Sequence, residues 1–289
     1  MAFPAFGLRQ TTRSKKYADR VMRVLLTNDD GIDATGLQTL RAELLASVPG
    51  IDLVVIAPDG NRSAVGRGIT VRRALAVERV EFGDGTHGYQ TDGTPVDCVR
   101  LASLGLVDGW MPDVVVSGIN HGANLGDDVT YSGTVAAAME GLLLGLPAIA
   151  VSQQSEKREM DFRLGEDFVF DTGARFVARI VASLADVPLP PSTLLNINVP
   201  AGQPHGVAVA RLGKRIYRDR LREQGDGTYF IYGADPGYED EPGTDLVAVA
   251  GGQIAVTPVH MDLTHHDGIG PLSTSDLARL LAPAAQEVE

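Results

Sequence analysis

The segment VLLTNDDGIDATGLQTLRAELLASVPGIDLVVIAP, Val24 to Pro58, decides the fold. It begins inside an apolar, β-branched run from Val21 to Thr27, which predicts a buried strand. GLQTLRAELLASV follows, with Leu37, Leu40, Leu44 and Leu45 at helical spacing. IDLVVIAP, Ile51 to Pro58, is a second apolar run of strand length. Strand, helix and strand in so short a span form the unit from which parallel sheets are built. Between the first strand and the helix stand two adjacent aspartates, Asp29 and Asp30. Neighbouring carboxylates repel each other unless a positive charge or water lies between them.

The alternation continues outward from this segment. GYQTDGTPVDCVRLASLGL turns into a helix near Pro95, a residue suited to a first helical turn. PDVVVSGIN, Pro112 to Asn120, predicts a third strand, YSGTVAAAMEGLLLG a small-residue helix ending near Gly145, and PAIAVSQ, Pro147 to Gln153, a fourth strand. DFVFDTGARFVARIVASLA reads as an amphipathic helix and TLLNINVP as a strand. The strands are almost continuously apolar, which suits a sheet covered on both faces. The expected class is α/β: a Rossmann-like, mostly parallel sheet with helices on both faces, extended by a C-terminal β-hairpin. The hairpin is predicted from GVAVARLGKRIYRDRLREQ, the turn GDG and TYFIYG. TDLVAVAGGQIAVTPVHMDLT adds strand-like pieces, and SDLARLLAPAAQ a final helix. The expected organisation is a flexible, basic N-terminal extension over 1–20 and a single domain over 21–289. That domain divides into an α/β core (21–204), a hairpin and strand region (205–264) and a C-terminal tail with a helix (265–289).

The bulk properties narrow the function. The chain of 289 residues is 44% hydrophobic and carries a net charge of −12. Such acidity argues against an extended nucleic-acid surface, which is normally basic. A small anionic substrate would need local positive charge, which a bound metal ion supplies. The single cysteine, Cys98, permits no intrachain disulfide and no zinc cluster, consistent with a reducing, cytoplasmic location. No apolar run is long enough to predict a membrane span.

In an open parallel sheet, ligands bind at the carboxyl ends of the strands. The first strand is followed by Asn28, Asp29 and Asp30, the second by Asn61 and Ser63, the third by Ser117, Asn120, His121 and Asn124. Carboxylate, hydroxyl and amide oxygens from three strand ends are the ligands that hard divalent cations take. The competing reading makes Asp30 or Asp33 the cap of the following helix. Ser132, Gly133 and Thr134 precede the small-residue helix, whose free N–H groups suit a phosphate or need only ordinary capping. His260, His265 and His266 fit no common zinc spacing and read as loop histidines. The segments contain no Walker lysine loop, no G-x-S-x-G and no GxGxxG after the first strand.

LLTNDDGIDATGLQTL, VVIAPDGNRSAVG, TDGTPVDCVRLA, PDVVVSGINHGANLGDDVTYSGTVAAAMEG and TDLVAVAGGQIAVTPVHMDLT together resemble the stationary-phase survival protein family, SurE. The resemblance runs in order from about Val21 to about Thr264. It implies a metal-dependent nucleotidase that hydrolyses nucleoside 5′- or 3′-monophosphates, with short polyphosphate as a further substrate. It implies one divalent cation per subunit, Mg²⁺ or Mn²⁺, held by Asp29, Asp30, Ser63 and Asn120, with Asp29 and Asp30 also catalytic. Asn61, Asn124, Ser132, Gly133 and Thr134 are the implied phosphate or substrate contacts. The resemblance further implies a homodimer or homotetramer built through the hairpin, Arg211 to Gly233, and the C-terminal tail. Asp262 and His266 would lie near the subunit contact. Two positions depart from the family pattern: Gly60 replaces a basic or bulky residue, and Ala64 a glycine.

Three other readings stay open. Nucleoside hydrolases also gather aspartates after a first strand but release a free base. Haloacid-dehalogenase-type phosphatases use acid–x–acid spacing rather than adjacent aspartates. A nucleotide-binding module would bind metal and ligand without turnover.

Overall fold

Strands and helices alternate from the start of the computed structural model, which describes residues 21–160, 167–184, 186–187, 189–233 and 237–275. The order is β1 (Met22–Thr27), α1 (Thr35–Ser47), β2 (Ile51–Pro58), β3 (Val77–Glu81), β4 (His87–Thr91), α2 (Pro95–Ser103), β5 (Val114–His121), α3 (Gly133–Leu143) and β6 (Ala148–Gln153). Then come α4 (Asp171–Ala182), β7 (Thr193–Val199), β8 (Val207–Val209), β9 (Arg215–Ile216), β10 (Asp219–Gly225), β11 (Thr228–Gly233), β12 (Gly237–Tyr238), α5 (Asp245–Ala250), β13 (Ile254–His260) and α6 (His266–Thr274). A 3-10 turn, Gly126–Thr130, precedes α3. The chain separates into two compact units, one ending at Val259 and one starting at His260. The basic extension over 1–20 and all but the first residue of SDLARLLAPAAQ lie outside the described residues.

The main sheet has nine strands in the order β3-β4-β2-β1-β5-β6-β7-β13-β8. β1 pairs in parallel with both β2 and β5, and β5–β6 and β6–β7 are also parallel. The edge pair β3–β4 is antiparallel. Alternate residues serve opposite cores, which is why the strands read as continuously apolar. Val24 and Leu26 pack with Leu37, Leu40 and Val177 beneath α1 and α4. Leu25 and Val115 pack with Val99, Val135 and Ala138 beneath α2 and α3. Cys98 is buried in this second core. Each fully buried leucine contributes roughly 1.5–3 kcal/mol.

Two expectations are corrected. The first hairpin arm is not one long strand: β8 joins the main sheet beside β13, and the hairpin proper is β10 with β11. The arm breaks at Gly213, whose N–H donates to Asp245; beyond it Arg215 and Ile216 pair with β12 instead, and the Arg215 N–H donates to Asp127. TDLVAV is not strand-like but forms α5, with the Thr244 hydroxyl accepting the Val247 N–H as cap.

The chain leaves β1 for β2 on one side and returns to β5 on the other, so the sheet reverses its winding between β1 and β5. A crevice at the carboxyl ends of β1, β2 and β5 follows from that topology.

Candidate active site

At the end of β1 the Asn28 side chain folds back on Gly31, donating to its carbonyl at 2.8 Å and accepting its N–H at 3.2 Å. Gly31 has φ +108°, and a Cβ there would lie 3.0 Å from the Gly60 Cα. Glycine therefore permits both the turn and the close approach of the loop after β2. The Arg62 N–H donates to the Asp29 carbonyl at 2.6 Å, seating that loop on the aspartate pair. Within the loop, Ala64 adopts φ +60°, the left-handed region that favours glycine.

Asp29 is buried, with 3% of its surface exposed. Its carboxylate accepts from the Thr134 hydroxyl. Asp30 accepts the His121 N–H at 3.0 Å and, at its other oxygen, the Asn61 Nδ2 at 3.4 Å. Burial raises both carboxyls to about 6, and the neighbouring Asp30 charge adds to the rise at Asp29. Neither forms an ion pair with a lysine or arginine among the described residues. Neither caps α1, whose N-cap is Ala34 without a side-chain bond. The capping alternative is thus not realised.

β5 bulges between Ser117 and Asn120 on its way to the site. Gly118 sits in the bulge at φ +132°, and a Cβ there would fall 2.2 Å from the Val151 carbonyl. The Gly118–Ile119 peptide bond is cis. Beyond the bulge the Asn120 Nδ2 donates to the Gly122 carbonyl at 2.7 Å, so Oδ1 is the side-chain oxygen available to a cation. The His121 ring stacks on Phe168 and Phe170, and its Nε2 accepts the Gly36 N–H in the first turn of α1. That acceptor role requires an unprotonated Nε2, and burial lowers the His121 pKa in the same direction.

α3 points its N-terminus at Asp29. Ser132 is the N-cap and accepts the Val135 N–H at 3.1 Å. Gly133 is seated so closely that a Cβ would come within 2.8 Å of the Asp29 Cβ and Oδ2. Thr134 is fully buried on Asp29.

The fold thus sets Gly133 and Thr134 against Asp29 and Asn61 against Asp30, with Asn120 next in chain to the His121 N–H that binds Asp30. Ser63 lies on the exposed rim, its N–H held by the Asn61 Oδ1 at 2.8 Å. Asn124 is turned inward: 2% exposed, its Nδ2 bonds Ser152 and its carbonyl accepts from Asn196 and Asn198. Asp262 and His266 pair with each other at 2.5 Å. The sequence reading missed the main-chain donors, His121 N–H and Arg62 N–H. Main-chain groups carry no residue signature that could have revealed them.

The donor set fits a hard divalent cation. Two adjacent carboxylates, one buried and one half-buried, without a cationic partner need positive charge between them, and the neighbouring oxygens are neutral. Among the described residues no group of three or more His, Cys, Asp or Glu forms a metal cluster. Two acids supplemented by amide and hydroxyl oxygens therefore make up the available shell.

The family model described as Survival protein SurE matches residues 24–219. The chain belongs to the SurE family. It is 48% identical over 267 residues to the 5′-nucleotidase SurE of Rubrobacter xylanophilus, covering 90% of this chain and 99% of that one. It is 46% identical over 253 residues to the 5′-nucleotidase SurE of Chloroflexus aggregans, covering 85% and 95%. The crystal structure of the SurE protein from Aquifex aeolicus matches with a TM-score of 0.73 and 37% identity, covering 87% of this chain and 98% of that chain. The matched span contains Asp29, Asp30, Ser63, Asn120 and the α3 turn.

Proposed function

We propose that the chain is a metal-dependent nucleotidase that hydrolyses nucleoside 5′- or 3′-monophosphates to nucleoside and phosphate. The observation that carries this reading is the carboxylate pair at the N-terminus of α3, Asp29 buried and Asp30 half-buried, neither in an ion pair with a lysine or arginine among the described residues. SurE membership, with relatives named as 5′-nucleotidases, supports the same activity. Asp29, Asp30, Ser63 and Asn120 would hold one divalent cation per subunit, Mg²⁺ or Mn²⁺. When bound, that cation supplies Lewis-acid charge to the phosphoryl group.

The chain's own groups do the positioning. Gly133 lets the start of α3 sit directly against Asp29, where a side chain would collide with the carboxylate, so the positive end of the helix lies beside the aspartate pair. The Ser132 oxygen already accepts from Val135, which leaves its proton to donate to a phosphate oxygen. Thr134 donates to Asp29 and fixes that carboxylate's orientation. Asn61 links Asp30 to the loop bearing Ser63, while Asn124 holds the loop before α3 from within.

None of the described helices is long and apolar enough to cross a membrane. A cytoplasmic enzyme that self-associates through the 211–233 hairpin and the C-terminal tail fits the exposed Leu221, Phe230 and Ile231. The test of the activity is phosphate release from AMP at neutral pH with Mn²⁺, then with excess chelator. Release abolished by chelator is expected. Release that survives complete chelation would refute metal dependence, and none with Mn²⁺ or Mg²⁺ would refute the nucleotidase reading.

A further inference from the structure

The 3-10 turn Gly126–Thr130 leads directly into the α3 N-terminus, and the root of the hairpin grips it. Asp128 is 2% exposed. One of its carboxylate oxygens accepts the Arg215 Nε at 2.6 Å, and the other accepts the Tyr217 hydroxyl at 2.9 Å. The Arg215 guanidinium also reaches the Met160 carbonyl, on the segment after β6. Asp245 fastens the same two segments from the far side. Its oxygens accept the Gly126 N–H at 2.9 Å and the Gly213 N–H at 2.8 Å. The Asp128 carbonyl in turn accepts the Tyr131 N–H at 3.0 Å, one residue before the Ser132 cap. A continuous set of bonds therefore runs from the hairpin root through Asp128 to the turn that faces Asp29.

We propose that Tyr217 and Arg215 are positioning residues for the phosphate-binding turn, acting through Asp128. The inference rests on the nucleotidase reading and extends it to residues that touch neither metal nor phosphate. A buried carboxylate held by a guanidinium and a phenol has few alternative geometries, so Gly133 is kept in register with the aspartates.

The test is Tyr217→Phe, which deletes one donor to Asp128 and leaves the Arg215 pair in place. Kinetics on AMP with Mn²⁺ are combined with calorimetric titration of inorganic phosphate and of Mn²⁺ alone. The expected result is a loss of about tenfold in kcat/KM, the size of one hydrogen bond to a charged group. Phosphate affinity should weaken by a similar factor, while Mn²⁺ affinity stays within about twofold. Asp128→Asn should give a comparable loss, and the double variant should lose little more, since both act on one contact. Arg211→Ala, which removes only a surface pair with Glu241, should match wild type. Unchanged kcat/KM and phosphate affinity in Tyr217→Phe would overturn the proposal. So would an equal loss of Mn²⁺ affinity, or fully additive losses in the double variant. Wild-type protein that released no phosphate from AMP would sink the nucleotidase reading instead, and the phosphate titrations would still test the positioning role.

Discussion

Asp30→Asn should make the metal-free protein more stable and the enzyme nearly inactive. In the metal-free protein, burial raises the Asp30 carboxyl from 3.8 to about 6. Keeping it ionised at neutral pH then costs roughly 3 kcal/mol. Asp30 is only partly buried by surface area, and an asparagine oxygen can still accept the His121 N–H. Solvent screening reduces the recoverable part to about 1–2 kcal/mol. The pKa is higher in the folded state than in the unfolded one. The penalty is therefore complete above about pH 6 and absent below about pH 4. The variant should melt roughly 3–6 °C above wild type in EDTA at neutral pH, and level with it near pH 4.

Metal should reverse this order. Wild type gains about 2.7 kcal/mol at a hundredfold excess of Mn²⁺ over its Kd. The variant has lost one of two charges in the shell and should gain much less. Its phosphate release from AMP should fall at least ~100-fold, or about 2.7 kcal/mol in activation free energy. Differential scanning calorimetry in EDTA and in Mn²⁺, beside a phosphate-release assay, reads all three quantities. A variant that melts below wild type in EDTA at neutral pH would refute the electrostatic reasoning. One that Mn²⁺ stabilises as much as wild type would remove Asp30 from the metal shell.

Gly133→Ala places a methyl 2.8 Å from the Asp29 Cβ and Oδ2, so the carboxylate or the helix start must shift. Activity should fall roughly 10–100-fold, in keeping with the sensitivity of catalysis to misplacement near 1 Å, and wild-type kinetics in this variant would exclude the close approach. The exposed hairpin residues Leu221, Phe230 and Ile231 predict a dimer or tetramer by light scattering, and replacing all three with serine should shift the species toward monomer. A wild-type protein that is monomeric at micromolar concentration would sink that expectation.

The sheet was legible because its central strands are buried on both sides. Val24, Leu25 and Leu26 need no alternation to be recognised, since successive side chains enter opposite cores. VERVE and HGYQT escaped notice because they form a polar edge pair, with Glu78 bonded to Gln90 in the open. TDLVAV carries four apolar residues, of which Leu246, Val247 and Val249 suit a strand, and its helix is decided by the Thr244 cap and by Asp245 binding Gly126 and Gly213. The aspartate pair was legible as a charge problem with one economical solution. The buried grip on Asp128 was not, because Arg215 and Tyr217 arrive from 87 and 89 residues away.

A chain of net charge −12 must bring a phosphate up to two carboxylates. The nearby arginines are already engaged, Arg62 with Asp59 and both Arg67 and Arg100 with Glu140. What remains is the positive end of α3, a partial charge of about +0.5 at its first turn, together with the cation that the aspartates would hold. The two sources differ in how they can be lost. The cation depends on ionised side chains, so a single Asp→Asn change removes part of it. The helix N–H groups belong to the main chain, and no polar substitution deletes them. They are lost only if something occupies the space in front of them or if the turn moves. That is why a slack bond to Asp128 in the hairpin root should impair phosphate binding while leaving the metal shell intact, whereas a methyl at Gly133 should disturb both the turn and Asp29.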